Sequence, residues 1–185
     1  MKASDTCSAD ELLTRARAGE ASAFAGLVRR YQRTVYSIAL RMLSDRHRAE
    51  DLAQEVFLQL YRTLDNIESD THLAFWLRKV AVNRAIDRMR QESRYEGEPL
   101  SEAAAIVEQV REDDPLLRRR MAELVAQLPP AARAVVVLRY QEDLDPTDIA
   151  STLDMSINTV KSHLKRSLTL LRARVQGTAV VEDIR

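Results

Sequence analysis

The chain has 185 residues, 45% hydrophobic and 30% charged, with zero formal net charge, four glycines, five prolines and one cysteine. Gly and Pro together make about 5% of the chain, against roughly 12% in an average one, which excludes a turn-rich sandwich or barrel. No apolar run approaches the roughly 18 residues of a membrane-spanning helix, the start Met1-Lys2-Ala3-Ser4-Asp5 has no signal-peptide core, and a lone Cys7 with three histidines supports neither a disulfide nor a zinc site. The expectation is an all-α cytoplasmic protein without metal or cofactor.

Ser8 and Glu11 form a capping box, so a short helix is expected to about Ala18, stopped by Gly19. Apolar residues then recur in steps of three and four from Phe24 through Leu27, Val28, Tyr31, Val35 and Ile38 to Met42, and again from Ala49 through Leu52, Val56 and Leu60 to Leu64. Each run is one face of an amphipathic helix. The polar stretch 65–71 reads as a turn, with Asp70 or Thr71 capping a helix to about Arg90. On that helix Phe75, Val82, Ile86 and Met89 are expected to face the core. Residues 93–114 carry seven acids against two arginines and read as a linker. Pro115 opens the next helix, Pro129-Pro130 stops it, and Ala131–Tyr140 follows as a helix buried through Ala134–Leu138.

Asp145 is a natural N-cap and Pro146 suits the first helical position. Ile149, Ala150 and Leu153, a turn at Asp154, Met155 and a cap at Ser156 then fall in helix-turn-helix order. The second helix is expected to bury Ile157, Val160, Leu164, Leu168 and Leu171. It presents Asn158, Thr159, Lys161, Ser162, His163, Lys165 and Arg166 on its other face. Residues 156–176 hold five basic residues and no acid. Such a face suits a DNA major groove, although a solvated basic face has the same pattern.

Leu144–Ala150, Ile157–Arg166 and Leu170-Leu171-Arg172 resemble the promoter-reading domain of extracytoplasmic-function sigma factors, the small initiation factors of bacterial RNA polymerase. Leu128-Pro129-Pro130 with Leu138-Arg139-Tyr140 fits the same family. In the other half, Ala49–Phe57 is similar to the family's polymerase-binding helix. Phe75-Trp76-Leu77 with Ala81, Asn83 and Asp87 is similar to its strand-opening helix. The resemblance implies two small helical domains joined by an acidic linker. The first spans 8–92, the linker 93–114, the second 115–176, with a tail at 177–185.

The same resemblance implies roles. Glu50, Asp51, Gln54 and Glu55 would dock on core RNA polymerase, where the residues alone read as a solvated acidic face. Arg48 stands where the family commonly carries an acid, which implies weaker docking. The loop Ile67–Leu73, with Ser69, Asp70, Thr71 and His72, would capture a base of the promoter's minus-ten element. Trp76, Asn83 and Asp87 would join it, while Trp76 alone reads equally as core filler. Ser156, Asn158, Thr159, Lys161, Ser162, His163, Lys165 and Arg166 would read the minus-thirty-five element. His163 stands where the family often has arginine. An anti-sigma factor is implied as a further partner. The linker either occupies the polymerase cleft or is a charged spacer.

Two other functions compete: a stand-alone helix-turn-helix regulator, and a sigma-mimicking protein that sequesters an anti-sigma factor. The Asp51, Gln54, Glu55 set and the Trp76, Asn83 set disfavour the first, and the basic helix face disfavours the second. No nucleophile–base pair, metal-ligand cluster or phosphate-binding glycine loop suggests an enzyme.

Overall fold

The computed structural model describes residues 8–95 and 115–182, and among them every regular element is a helix. In order they are α1 (Ala9–Arg17), α2 (Ala21–Leu43), α3 (Arg46–Thr63), α4 (Asp70–Tyr95), α5 (Pro115–Ala126), α6 (Pro130–Tyr140), α7 (Pro146–Leu153) and α8 (Ile157–Glu182), with a 3₁₀ turn at Leu64–Asn66 between α3 and α4. The two small helical domains are α1–α4 and α5–α8. Most of the expected linker, residues 96–114, lies outside the described residues.

Helix boundaries follow local chemistry. Ser8 Oγ accepts the Glu11 amide at 3.2 Å, and Gly19 ends the segment after α1 with φ +86°, a conformation that glycine adopts at little cost. Asp45 caps α3 by accepting the Arg48 amide at 2.8 Å, a few residues ahead of the first apolar position of the sequence pattern. The cap of α4 is Ser69 rather than Asp70 or Thr71: its Oγ accepts the His72 amide at 3.2 Å. α4 also outruns its expected end, reaching Tyr95, and α8 runs to Glu182, into the expected tail.

The core of the first domain is built from fully buried Leu27, Val35, Ile38 and Met42 of α2, Leu52, Val56 and Leu60 of α3, and Leu73, Leu77 and Ala81 of α4. Each large aliphatic residue contributes about 1.5–3 kcal/mol by leaving water. The two domains are packed together, α6 lying against α2 and α4, and α7 against α4. α4 therefore buries two stripes. Leu77 and Ala81 face α2 and α3, and on that side Arg84 and Arg88 pair with Glu55 of α3. Val82 and Ile86, four and eight residues beyond Arg78 and so on its stripe, are buried on the other side. There Arg78 Nε meets Glu142 at 2.9 Å and Lys79 Nζ meets Asp154 at 2.9 Å. Phe75, expected in the core, begins this second stripe one turn ahead of those ion pairs and is 36% exposed.

Arg133 of α6 is buried at the domain junction. Its Nη1 donates to the Met42 carbonyl at 2.6 Å, at the C-terminal and therefore negative end of α2. Burial lowers its pKa to about 10, so the side chain stays charged at neutral pH. Gln141 Nε2 donates across the same junction to Ser37 Oγ at 2.7 Å.

Candidate functional site

Three surfaces gather the polar residues singled out from the sequence. The first is the outward side of α3. Glu50, Asp51 and Gln54 are exposed, and Glu50 is paired with Arg46 at 3.3 Å. Glu55 is turned towards α4, where Arg84 Nη1 and Arg88 Nη2 hold its carboxylate at 2.9 and 2.7 Å. Arg48 is turned the same way: its guanidinium pairs with Glu92, and its carbonyl accepts a bond from Arg88 Nη1 at 3.1 Å. Both residues thus belong to the α3–α4 seam, which moves Arg48 off the outward face.

Two apolar residues extend that face. Leu58 is 58% and Tyr61 66% exposed, and with Asp51 and Gln54 they make a stripe at steps of three, four and three, opposite the buried stripe of α3. Tyr61 stacks edge-on to Phe24 of α2, ring centroids 5.2 Å apart at 76°, which fixes a large ring at the surface. Neither was singled out from the sequence. The signal was there as two apolar residues on the polar side of an otherwise amphipathic pattern.

The second surface is the loop before α4. Ile67 plugs it into the core at 0% exposure. The polar groups around it are largely engaged within the protein. Ser69 caps α4. The Asp70 carboxylate accepts the Tyr31 hydroxyl and lies 3.8 Å from Arg30, while the Asp70 amide donates to Asp10 Oδ1 of α1 at 2.7 Å. Burial, followed by the bond to Asp70, raises the Tyr31 phenol to about 12, so this bond keeps its proton on tyrosine at neutral pH. His72 Nδ1 accepts the Glu68 amide at 3.3 Å, which places the proton of the neutral ring on Nε2, pointing away. What remains open to a ligand is exposed Thr71, the outer edge of His72 and the exposed Glu68 carboxylate. The third side of α4, away from both buried stripes, carries Trp76, Asn83 and Asp87. Trp76 is half-buried against the core and Asn83 half-buried, whereas Asp87 is exposed.

The third surface is α8. Asp145 caps α7 by accepting the Thr147 and Asp148 amides at 2.7 and 2.9 Å. These bonds, the one from Asp148 foremost, lower its carboxyl pKa. Asp154 turns the chain with φ 52° and ψ 45°, and its Oδ1 is held by Lys79. Ser156 Oγ accepts the Thr159 amide at 3.1 Å and shares a hydroxyl–hydroxyl bond of 2.8 Å with Thr159, so it serves as the cap of α8. Val160 and Leu171 are buried, Leu164 and Leu168 half-buried. Ile157, expected inside, is 40% exposed, although Val160 in the same first turn of α8 is fully buried. Asn158, Thr159, Lys161, Ser162, Lys165 and Arg166 are exposed, His163 half-buried. Asn158, Thr159, Ser162, His163 and Arg166 line one open groove. Lys161, Lys165 and Arg166 have no ion pair among the described residues, and packing against the first domain leaves this face uncovered.

Comparison with known proteins accounts for both halves. The family model for sigma-70 region 2 matches residues 27–95, and that for sigma-70 region 4 matches residues 118–171. The extracytoplasmic-function RNA polymerase sigma factor SigW of Bacillus subtilis is 30% identical over 171 residues, a match spanning 85% of this chain and 91% of SigW. Among solved structures, the sigma factor RpoE from Bartonella quintana, in complex with the anti-sigma factor NepR, superposes with a TM-score of 0.69 at 19% identity, covering 83% of this chain and 96% of that one. CnrH, solved with the cytosolic domain of CnrY, superposes at 0.66 with 22% identity, covering 92% of this chain and 99% of that one. At those identities the two structures speak for the fold.

Proposed function

The chain belongs to the extracytoplasmic-function sigma factors of bacterial RNA polymerase, and we propose how its three polar surfaces divide the work of that role. A sigma factor binds core RNA polymerase, directs it to particular promoters and assists strand opening. Its role is one of binding, exercised in the cytoplasm where transcription takes place.

The observation that carries the docking assignment is the uncovered stripe Asp51, Gln54, Leu58 and Tyr61. A carboxylate and an amide set register on a charged partner helix. The Leu58 and Tyr61 side chains supply the apolar area that such contacts lack. Glu50 flanks the stripe, and Glu55 supports it from the α3–α4 seam. The test is polymerase binding by Asp51→Lys and Tyr61→Ala, with helix content followed in parallel. Both variants should weaken core binding and keep their helicity; unaltered affinity in both would remove the assignment.

In the first domain, Thr71 and the outer edge of His72 would bond an unpaired minus-ten base, with Trp76 stacking beside it and Asn83 and Asp87 following the strand. Ser69 and Asp70 would act by holding the loop. In the second, Asn158, Thr159, Lys161, Ser162 and His163 would face base edges of the minus-thirty-five element. Lys165 and Arg166 would take phosphates, with Ser156 as the cap of α8. The divisions 8–92, 93–114, 115–176 and 177–185 serve as the functional units in this reading. An anti-sigma factor is the proposed regulator, a partner of the kind with which the Bartonella RpoE was solved. It would hold both domains and cover these same faces. Co-purification from the native host identifies such a partner.

A further inference from the structure

α2 carries Arg29, Arg30, Arg33 and Arg41 and no acidic residue over its whole length, Ala21–Leu43. The first three are exposed and crowd into little more than one turn. Arg30 and Arg33 are three residues apart and Arg29 and Arg33 four, spacings at which like charges on a helix repel. Several arginines elsewhere are paired with acids: Arg15 with Glu20, Arg46 with Glu50, Arg78 with Glu142 and Arg119 with Glu123. Arg29 and Arg33 have no ion pair among the described residues. Arg30 reaches only to 3.8 Å from Asp70, and that contact fixes where the stripe lies. It borders the loop 67–72, which α2 also holds through the Tyr31–Asp70 bond.

We infer that Arg29, Arg30 and Arg33 form a phosphate track, on which the DNA strand whose base enters the loop lays its backbone. A guanidinium offers forked donors that match phosphate oxygens. A row of them along one helix edge suits a polyanion better than a single carboxylate. Because the contact is to the backbone, it adds affinity without sequence preference. Its electrostatic repulsion in the unbound protein is relieved when phosphates arrive.

The inference rests on the reading of residues 67–72 as the base-capturing loop, and the two are separable. The experiment compares the full chain with its Arg29→Gln/Arg33→Gln variant, both exposed positions where glutamine keeps helix propensity. The probe is a fluorescent pool of randomised single-stranded DNA of about 15 nucleotides. Its affinity is measured across a salt series, with circular dichroism to confirm equal folding. Every single-strand phosphate that a cation no longer neutralises lowers the log–log salt slope by about 0.7, so the variant's slope should fall by about 1.4. A pool with uncharged methylphosphonate linkages should bind the two proteins alike. Thr71→Ala should instead change which sequences are preferred while leaving the slope intact; failure of that variant alone removes the loop reading and leaves the track. An unchanged slope in the arginine variant overturns the track. So does an unchanged slope with weakened core polymerase binding, which would give the stripe to a protein partner.

Discussion

The two candidate DNA surfaces use similar residues in opposite ways. On α8, Asn158, Lys161, Ser162, Lys165 and Arg166 project from one regular helix into solvent, and beyond the first turn, which Ser156 caps, the helix satisfies its own backbone. Before α4, Ser69, Asp70 and one nitrogen of His72 are engaged in shaping the loop itself, with help from Asp10 and Tyr31. Beyond its capped first turn a helix needs no side chain to hold its shape, so its polar face stays open. A loop has unpaired backbone amides, and nearby polar side chains satisfy them first. Polar side chains are therefore left open to solvent on the one surface and are committed to architecture on most of the other.

Breaking the loop's architecture should have the largest effect. Asp70→Ala removes the acceptor of a charge-assisted bond from Tyr31 and the partner of Arg30, at a cost of about 1.5–3 kcal/mol. Open-complex formation should fall by roughly ten- to hundredfold, and Asp70→Asn, which keeps an acceptor, should recover part of it. Both are read by footprinting of the melted region. An Asp70→Ala variant with wild-type melting would mean the loop holds its shape without this network.

On α8 the expected effects are smaller and differ in kind. Lys161→Ala and His163→Ala should each cost roughly 1–3 kcal/mol on the preferred site while changing which bases are preferred. Lys165→Ala should weaken all duplexes alike and lower the salt slope by about one unit. Competition binding across a duplex library at several salt concentrations separates these outcomes.

A third prediction concerns pH. The Tyr31 pKa is raised to about 12 from an ordinary value of 10. A raised folded-state value means its stabilisation is complete below pH 10 and is lost as the pH climbs from 10 towards 12. Ultraviolet titration should show a phenol ionising near pH 12, and Tyr31→Phe should remove that late step. The smallest effect is expected at Asp154, where φ is 52°. Asp154→Gly relieves a left-handed residue, whose cost is about 1–2 kcal/mol, against the entropic cost of glycine, about 0.5–1 kcal/mol, and the lost Lys79 pair, worth about 0–1 kcal/mol. Thermal unfolding should therefore change little.

Where a feature followed from periodicity and caps, it was legible in the sequence. The helices, the Asp145–Pro146 start, the turn at Asp154 and the polar face of α8 all obey local rules. What depended on a distant partner was not. Glu55 and Arg48 look like surface charges until α4 supplies Arg84, Arg88 and Glu92. Asp70 looks like a cap or a DNA contact until α1 and α2 supply Asp10 and Tyr31. Ile157 has the right spacing for burial yet is 40% exposed. The packing of the two domains had only an indirect trace: the unbroken apolar run Ala134–Leu138 marks a helix covered on more than one side. The run does not say that α2 and α4 provide the cover.

The division between contact and architecture is tested most directly by selecting promoters from a randomised library with holoenzyme carrying Asp70→Ala or Lys161→Ala. Asp70→Ala should lower the yield of melted complexes and leave the selected minus-ten sequence as it was, while Lys161→Ala should shift the selected minus-thirty-five sequence. A new minus-ten preference in Asp70→Ala, or an unaltered minus-thirty-five preference in Lys161→Ala, would contradict that division.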